Sequence, residues 1–379
     1  MTSKATSSAA GVASKRVAIV APSAWSVIAL RADLVRRIVA GGHRILCFVP
    51  GATGAEERAL RGLGVDWQVY DEPPAGLGIL AFGRAVKRLA ASLSDWRPHV
   101  VLGFGARAMP LAALAARKAG AGRVVSLCTG LPAGDLRLDP AGVGPRRLKA
   151  ALRASDALVV HNSDDAKRLA ALGLLPAGLP VATVPGAGVD LAVHVEQPLP
   201  PVGPDLTFLM IAPLDKERGV MDYVKAAQEV KSRRPGARFL LAGPADRSRE
   251  PVAREQLTKS SAVIVLEPVD DVRPLLAGCH VFVYPSHAEG MPRVVLEALA
   301  AGRPVITTRA SGCRETVDEH VNGWLVPPGD WRGLAVAMEG YLRRPELLTS
   351  AARASRTKAE RQFGLERSVA GLLEAMELS

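Results

Sequence analysis

The 379-residue sequence predicts an α/β protein made of two Rossmann-like domains in tandem. Short β-branched runs alternate with helical patterns of 10 to 15 residues, the mark of repeated βαβ units around a parallel sheet. One proline-rich break interrupts that alternation, and a second series starts after it. The length supports the same division, since it exceeds a single small core and suits two domains that each bury their own apolar interior. Hydrophobic residues make up 48% and charged residues 22%, which excludes a disordered chain.

Taken in order, residues 1–14 are Ser, Ala and Thr without periodicity and without the apolar core of a signal peptide, so they read as a disordered tail. Residues 15–196 form the first domain, with strands expected at Val17–Ala21, Ile45–Val49, Trp67–Tyr70, Val100–Gly103, Val124–Cys128, Ala157–His161 and Val181–Val184. Residues 197–204, Gln-Pro-Leu-Pro-Pro-Val-Gly-Pro, form the linker, because proline removes backbone donors and disfavours helix. Residues 205–345 form the second domain. Its strands are expected at Thr207–Ile211, Phe239–Ala242, Val263–Leu266, Val281–Tyr284 and Val305–Thr308, and its helices around Met221–Arg234, Asp271–Ala277, Arg293–Ala301 and Trp331–Leu342. Residues 346–379 read as helices that pack back across the domain interface. Two such domains bring the carboxyl ends of both strand sets to a shared cleft, where ligands of open α/β sheets bind.

Composition narrows the partners. The net charge is +11, with basic residues such as Arg31, Arg84, Lys87, Arg107, Arg146 and Arg153 concentrated in the first half. Aromatics are only 4% and are not interleaved with those charges, which argues against single-strand nucleic acid. The charge suits an anionic ligand or membrane face, or a plain solvated surface. No run approaches the roughly 18–20 apolar residues of a spanning helix, so a cytoplasmic protein is expected, one that rests on the inner face of the cell membrane. Cys47, Cys128, Cys279 and Cys313 are scattered, without a zinc-type pair or a secreted disulfide framework. No His/Cys or Asp cluster has metal-ligand spacing, so neither a metal nor another cofactor is expected.

The chemistry concentrates at Glu289-Gly-Met-Pro-Arg-Val-Val-Leu-Glu297. Val281–Tyr284 reads as a buried strand, Pro285–Met291 as a loop, and Pro292 as the first residue of a helix that stops at Gly302. A helix start of this kind aims the N–H groups of Arg293, Val294 and Val295, and the positive end of the dipole, at a cleft, which suits a diphosphate. Were the eight steps from Glu289 to Glu297 all helical, the carboxylates would stand about 12 Å apart along the axis. A glycosidase pair stands ~5 Å or ~6.5–9.5 Å apart. The pair is therefore a poor hydrolase dyad and a better match for a long ligand, with one acceptor oxygen near its reactive end and one near a ribose.

These residues resemble the E-x7-E pattern of retaining family 4 glycosyltransferases, whose fold is GT-B, two Rossmann-like domains facing each other across a cleft. Ala301-Gly-Arg-Pro-Val-Ile-Thr-Thr308 and Gly323-Trp-Leu-Val-Pro-Pro-Gly329 look like that family's following blocks. Glu289-Gly-Met-Pro-Arg, Ser311-Gly-Cys-Arg-Glu-Thr-Val317 and Pro185-Gly-Ala-Gly-Val-Asp190 are similar to bacterial enzymes that extend undecaprenyl-diphosphate-linked sugars. The resemblance implies a nucleotide sugar as co-substrate, UDP-linked by preference, and a lipid-linked acceptor. It implies Glu289 on donor-sugar hydroxyls, Glu297 on the ribose, and Gly290, Met291, Arg293 and Val294 around the donor.

The sequence departs from the pattern in the loop Ile211-Ala-Pro-Leu-Asp-Lys-Glu-Arg-Gly219, where an Arg and a Lys would hold the diphosphate. Pro213 stands in the Arg position and Arg218 in the Lys position, so Arg218 inherits the phosphate role and Lys216 is a candidate helper. The family's His near the reacting carbon has no counterpart in Gly103-Phe-Gly-Ala-Arg107. Ser23 and Arg107 are candidate acceptor contacts, while His161 and His287 read more readily as structural and Asn162-Ser163 as a helix cap. Two alternatives stay open: a GT-B sugar-nucleotide epimerase, and a non-catalytic GT-B protein that binds a membrane or a partner.

Overall fold

The computed structural model describes residues 13–72, 79–132, 144–244 and 251–379. Of the expected tail, residues 1–12 lie outside the described residues. The strands of the first sheet are β1 (Arg16–Val20), β2 (Arg44–Val49), β3 (Asp66–Val69), β4 (Val100–Phe104), β5 (Arg123–Cys128), β6 (Ala157–Val160) and β7 (Val181–Thr183). Those of the second are β8 (Thr207–Ile211), β9 (Arg238–Ala242), β10 (Ile264–Leu266), β11 (Val281–Tyr284), β12 (Val305–Thr308) and β13 (Gly323–Val326). Among the described residues the first sheet runs β3-β2-β1-β4-β5-β6-β7 and the second β10-β9-β8-β11-β12-β13, with every pairing parallel. Parallel strands are covered on both faces, and the unbroken apolar runs Val17–Val20 and Val281–Val283 are accordingly fully buried.

The first-domain helices are α1 (Ala24–Leu30), α2 (Ala32–Ala40), α3 (Gly54–Gly62), α4 (Ile79–Trp96), α5 (Ala108–Lys118), α6 (Pro145–Arg153) and α7 (Ser163–Ala171). Those of the second domain and the tail are α8 (Val220–Arg233), α9 (Arg254–Thr258), α10 (Arg273–Ala277), α11 (Arg293–Ala300), α12 (Trp331–Arg343), α13 (Leu347–Lys358) and α14 (Leu365–Met376). Strand β13 was legible only as a motif block, not as a strand. Pro292 sits one place earlier than expected, as the extended N-cap of α11 with φ −75° and ψ 108°.

In each sheet the strand order reverses once, between β1 and β4 and between β8 and β11. The loops that leave these four strands meet in one cleft, as the switch-point rule requires. Pro22 and Gly105 line it from the first domain, Ala212, Pro213 and Glu289 from the second.

The chain crosses between the domains twice. The first crossing lies between Val184, in the core of the first domain, and Val189, in the core of the second; the proline-rich residues 197–204 then run along the second domain, where Arg303 donates to the carbonyls of Gln197 (3.2 Å) and Pro198 (2.9 Å). At the second, the Val189 N–H donates to the Phe363 carbonyl and the Leu365 N–H to the Val189 carbonyl, both at 2.9 Å. Helix α14 then seats Val369, Leu372 and Met376 in the core of the first domain.

Candidate active site

The cleft has a volume of about 990 Å³ and takes its walls from both domains. On the C-terminal wall, the loop after β8 coils tightly. The Asp215 carboxylate accepts the Arg218 backbone N–H at 3.0 Å, and Gly219 turns into α8 with φ +75°. A Cβ at Gly219 would stand 2.1 Å from the Pro285 carbonyl oxygen, so glycine is what lets the loops after β8 and β11 touch. That contact delivers the Arg218 guanidinium to Glu289: Nη1 donates to Oε1 at 2.5 Å and to the Ala288 carbonyl at 2.9 Å. The Tyr284 hydroxyl at the end of β11 donates to the same Oε1 at 2.6 Å.

Burial pushes the Glu289 carboxyl above its usual range, against the pull of Arg218 and Tyr284. Burial pulls Arg218 down most strongly, yet Glu289 together with Tyr284, Asp215 and Glu217 outweighs it and the guanidinium stays charged. Tyr284 is driven well upward by burial and then by Glu289, so it remains a donor.

One turn along α11, Glu297 is nearly buried and its Oε1 accepts from Arg293 Nε at 2.8 Å, with His194 Nε2 at 3.7 Å. Arg293 reaches on across the cleft to the Ala29 carbonyl of the first domain. The Val295 N–H is spent on the Pro292 carbonyl at 3.0 Å, so the expected phosphate cradle loses one of its three donors. The N–H groups of Arg293 and Val294 open the helix and lie outside its ladder.

Gly290 is where three backbones converge. A Cβ there would lie 1.7 Å from the Thr129 carbonyl oxygen, while Cβ atoms at Gly130 and Gly312 would lie 2.7 Å and 2.2 Å from Gly290 backbone atoms. Asn162 Nδ2 donates to the Gly290 carbonyl at 2.7 Å, so the helix cap read from the sequence also ties the domains together. Ser163 with Glu315 and Arg314 with Asp164 continue the seam.

Glu289, Arg218, Glu297, Met291, Arg293 and Val294 all line the cleft, whereas Gly290 lies outside the lining, buried in the seam against Thr129, Gly130 and Gly312. Lys216 is exposed and is not part of the lining, because the Asp215 turn carries it outward. Arg107 is likewise outside the lining and pairs with Glu72 at 2.7 Å. Ser23 spends its hydroxyl on capping α1, accepting the Ser26 N–H at 3.1 Å; its neighbours Pro22, Trp25 and Ser26 line the cleft instead. His287 donates to Asp222 at 2.6 Å and braces the loop rather than the cleft. Sequence reasoning missed Tyr284, His194 and Arg31 as site residues. For Arg31 the signal was there: a cation inside the apolar run Ser26-Val-Ile-Ala-Leu-Arg-Ala-Asp-Leu-Val35.

Two family descriptions match this chain: a glycosyl transferase 4-like domain over residues 29–187 and glycosyl transferases group 1 over residues 205–344. Its two domains are glycosyltransferase domains. Among curated relatives of this GT-B chain, WcaL of Escherichia coli K12, assigned to colanic acid biosynthesis, is 30% identical over 203 residues, half of each chain. A Campylobacter jejuni enzyme, N,N'-diacetylbacillosaminyl-diphospho-undecaprenol alpha-1,3-N-acetylgalactosaminyltransferase, is 35% identical over 115 residues, 30% of each chain. The GT-B chain spans about half the length of the curated relatives it first matches. Among solved structures, Anabaena HepE in complex with UDP superposes with a TM-score of 0.76 at 18% identity, covering 96% of this chain and 99% of that one. A glycosyltransferase from Rickettsia africae gives 0.77 at 15% identity, covering 97% and 99%. These likenesses establish the GT-B fold over nearly the whole length.

Proposed function

We propose that this protein is a retaining glycosyltransferase that moves a sugar from a nucleotide diphosphate sugar, UDP-linked by preference, to a lipid-linked saccharide in cell-surface glycan assembly. The observation that carries the proposal is the Arg218–Glu289–Tyr284 group at the floor of a two-domain cleft, with Glu297 a turn further along α11. In both carboxylates the protein partners among the described residues fall on Oε1, which leaves Oε2 for a ligand hydroxyl: a sugar hydroxyl at Glu289 and a ribose hydroxyl at Glu297. The donor choice is supported by HepE, which was solved with UDP and with UDP-glucose. The lipid-linked acceptor is supported by the undecaprenol-dependent relative from Campylobacter jejuni.

In the reaction the bond from the sugar's anomeric carbon to the diphosphate oxygen breaks, and one to the acceptor hydroxyl oxygen forms on the same face. The acceptor proton ends on the departing diphosphate. Charge grows on the leaving oxygen, where Arg218 and the α11 N–H groups stabilise it without a metal. Glu289 holds the sugar so that the acceptor oxygen meets the anomeric carbon. The protein would work at the cytoplasmic face of the membrane, where the exposed Arg84, Lys87, Arg146 and Arg153 of α4 and α6 meet anionic lipid.

A thermal-shift panel of UDP-, GDP- and ADP-sugars tests the donor, with stabilisation by the UDP series expected. Stabilisation by none of the three would remove the donor assignment. Incubation with donor alone should give no epimerised sugar; an epimer would replace transfer with isomerisation.

A further inference from the structure

Among the described residues five arginines line the cleft, and four of them face a carboxylate: Arg218 with Glu289, Arg293 with Glu297, Arg273 with Asp271 and Arg36 with Asp33. Arg31 is the exception. It sits at the joint of α1 and α2 and is only 3% exposed, and no carboxylate lies within ion-pair distance among the described residues. Its Nε has no partner, its Nη1 reaches the Gly186 carbonyl only at 3.5 Å, and its Nη2 meets His161 Nε2 at 2.9 Å.

A guanidinium has donors only, so His161 Nε2 must accept, and the ring is neutral. Burial and then the Arg31 charge hold the His161 pKa well below its usual value, and the Thr129 backbone takes the ring's remaining hydrogen. Burial alone pulls Arg31 down to about 10, still charged near neutrality. A charge taken from water without a counter-charge is costly, and a protein that keeps one beside a ligand cleft has left the counter-charge to the ligand.

We propose that Arg31 is the anion receptor of the cleft, taking a phosphate oxygen of a bound substrate, and that His161 is a positioning residue that aims it. The phosphate has two possible sources, the donor diphosphate or a lipid-linked acceptor diphosphate, and this inference rests on the transferase reading for both. The guanidinium fork suits a tetrahedral oxyanion, whereas a lysine offers only a point charge.

The test is calorimetric titration of the full chain and its Arg31→Met and Arg31→Lys variants with UDP, uridine and farnesyl diphosphate at one ionic strength. A loss of at least tenfold in UDP affinity in Arg31→Met, with uridine unchanged, assigns the donor phosphate. A comparable loss for farnesyl diphosphate alone assigns the acceptor phosphate, and stands even where the wild-type protein binds no UDP and the donor assignment fails. Affinities within twofold for both diphosphates, or a wild-type protein that binds neither, overturn the proposal. Ligand-free Arg31→Met should melt at or above the wild-type temperature, since it sheds an unpaired buried charge; a variant that melts lower or does not fold marks a structural arginine and also overturns it. Arg31→Lys should recover part of the lost affinity. His161→Gln keeps an acceptor and should hold most of the phosphate affinity, while His161→Leu should lose it; equal binding by the two removes the positioning role.

Discussion

The two walls of the cleft differ in one buried cation. On the C-terminal wall each cation is matched within the protein, Arg218 by Glu289 and Arg293 by Glu297, so those side chains are held in place before any ligand arrives. On the N-terminal wall Arg36 is matched by Asp33, but Arg31 is buried, faces no carboxylate among the described residues and leans on a neutral imidazole. The contrast separates preorganisation from demand: one wall positions, the other gains its counter-charge on binding.

The largest expected effect breaks the matched wall at its centre. Glu289→Ala should lower transfer at least about a hundredfold, the scale of one lost transition-state contact, with circular dichroism unchanged. Full activity in the purified variant would dismiss the assignment of this carboxylate. Gly290→Ala comes next, because its methyl would sit 1.7 Å from the Thr129 carbonyl and must wedge the walls apart. Overpacking of this kind costs about 1–3 kcal/mol, and kcat should fall through misalignment of the domains. Native kcat in that variant would show that the close seam is dispensable.

Glu297→Gln should act mainly on donor affinity, raising KM roughly tenfold at little change in kcat, as loss of uniform binding does. A fall in kcat instead would move Glu297 to the reacting end. The smallest effect concerns the brace at His287. Its hydrogen bond to Asp222 holds its pKa above the ordinary value. A raised base stabilises the fold fully below the unfolded pKa of about 6.5 and loses that contribution as pH climbs through the folded value. The melting gap between wild type and His287→Gln should therefore be full below about pH 6.5 and shrink as pH rises above it, within about 1 kcal/mol for a pair this exposed. A gap independent of pH would mean that the brace is not ionic.

The fold was legible because buried parallel strands announce themselves as apolar runs, as Val281–Tyr284 and Val305–Thr308 do. Glu289 and Glu297 were legible for a related reason, since a strand, a loop and a proline-started helix place them relative to one another without tertiary knowledge. Loop residues were not. Lys216 and Arg218 are two positions apart in one loop, and only the Asp215 turn and the Gly219 contact decide which meets the cleft. Tyr284 hid as the last residue of a strand. Arg31 hid among many basic residues, its meaning set by burial and by the missing carboxylate.

The double crossing of the chain has a mechanical consequence. The stretch from Val184 to Val189 and the one that enters α14 at Leu365 run side by side between the same two bodies, and α14 is rooted in the first of them. Two adjoining attachments permit swinging about the line that joins them and resist twisting, as a door hung on two hinges does. The seam at Asn162, Ser163 and Asp164 is the latch on that door, and Arg293 reaching to Ala29 is the bolt on its far edge.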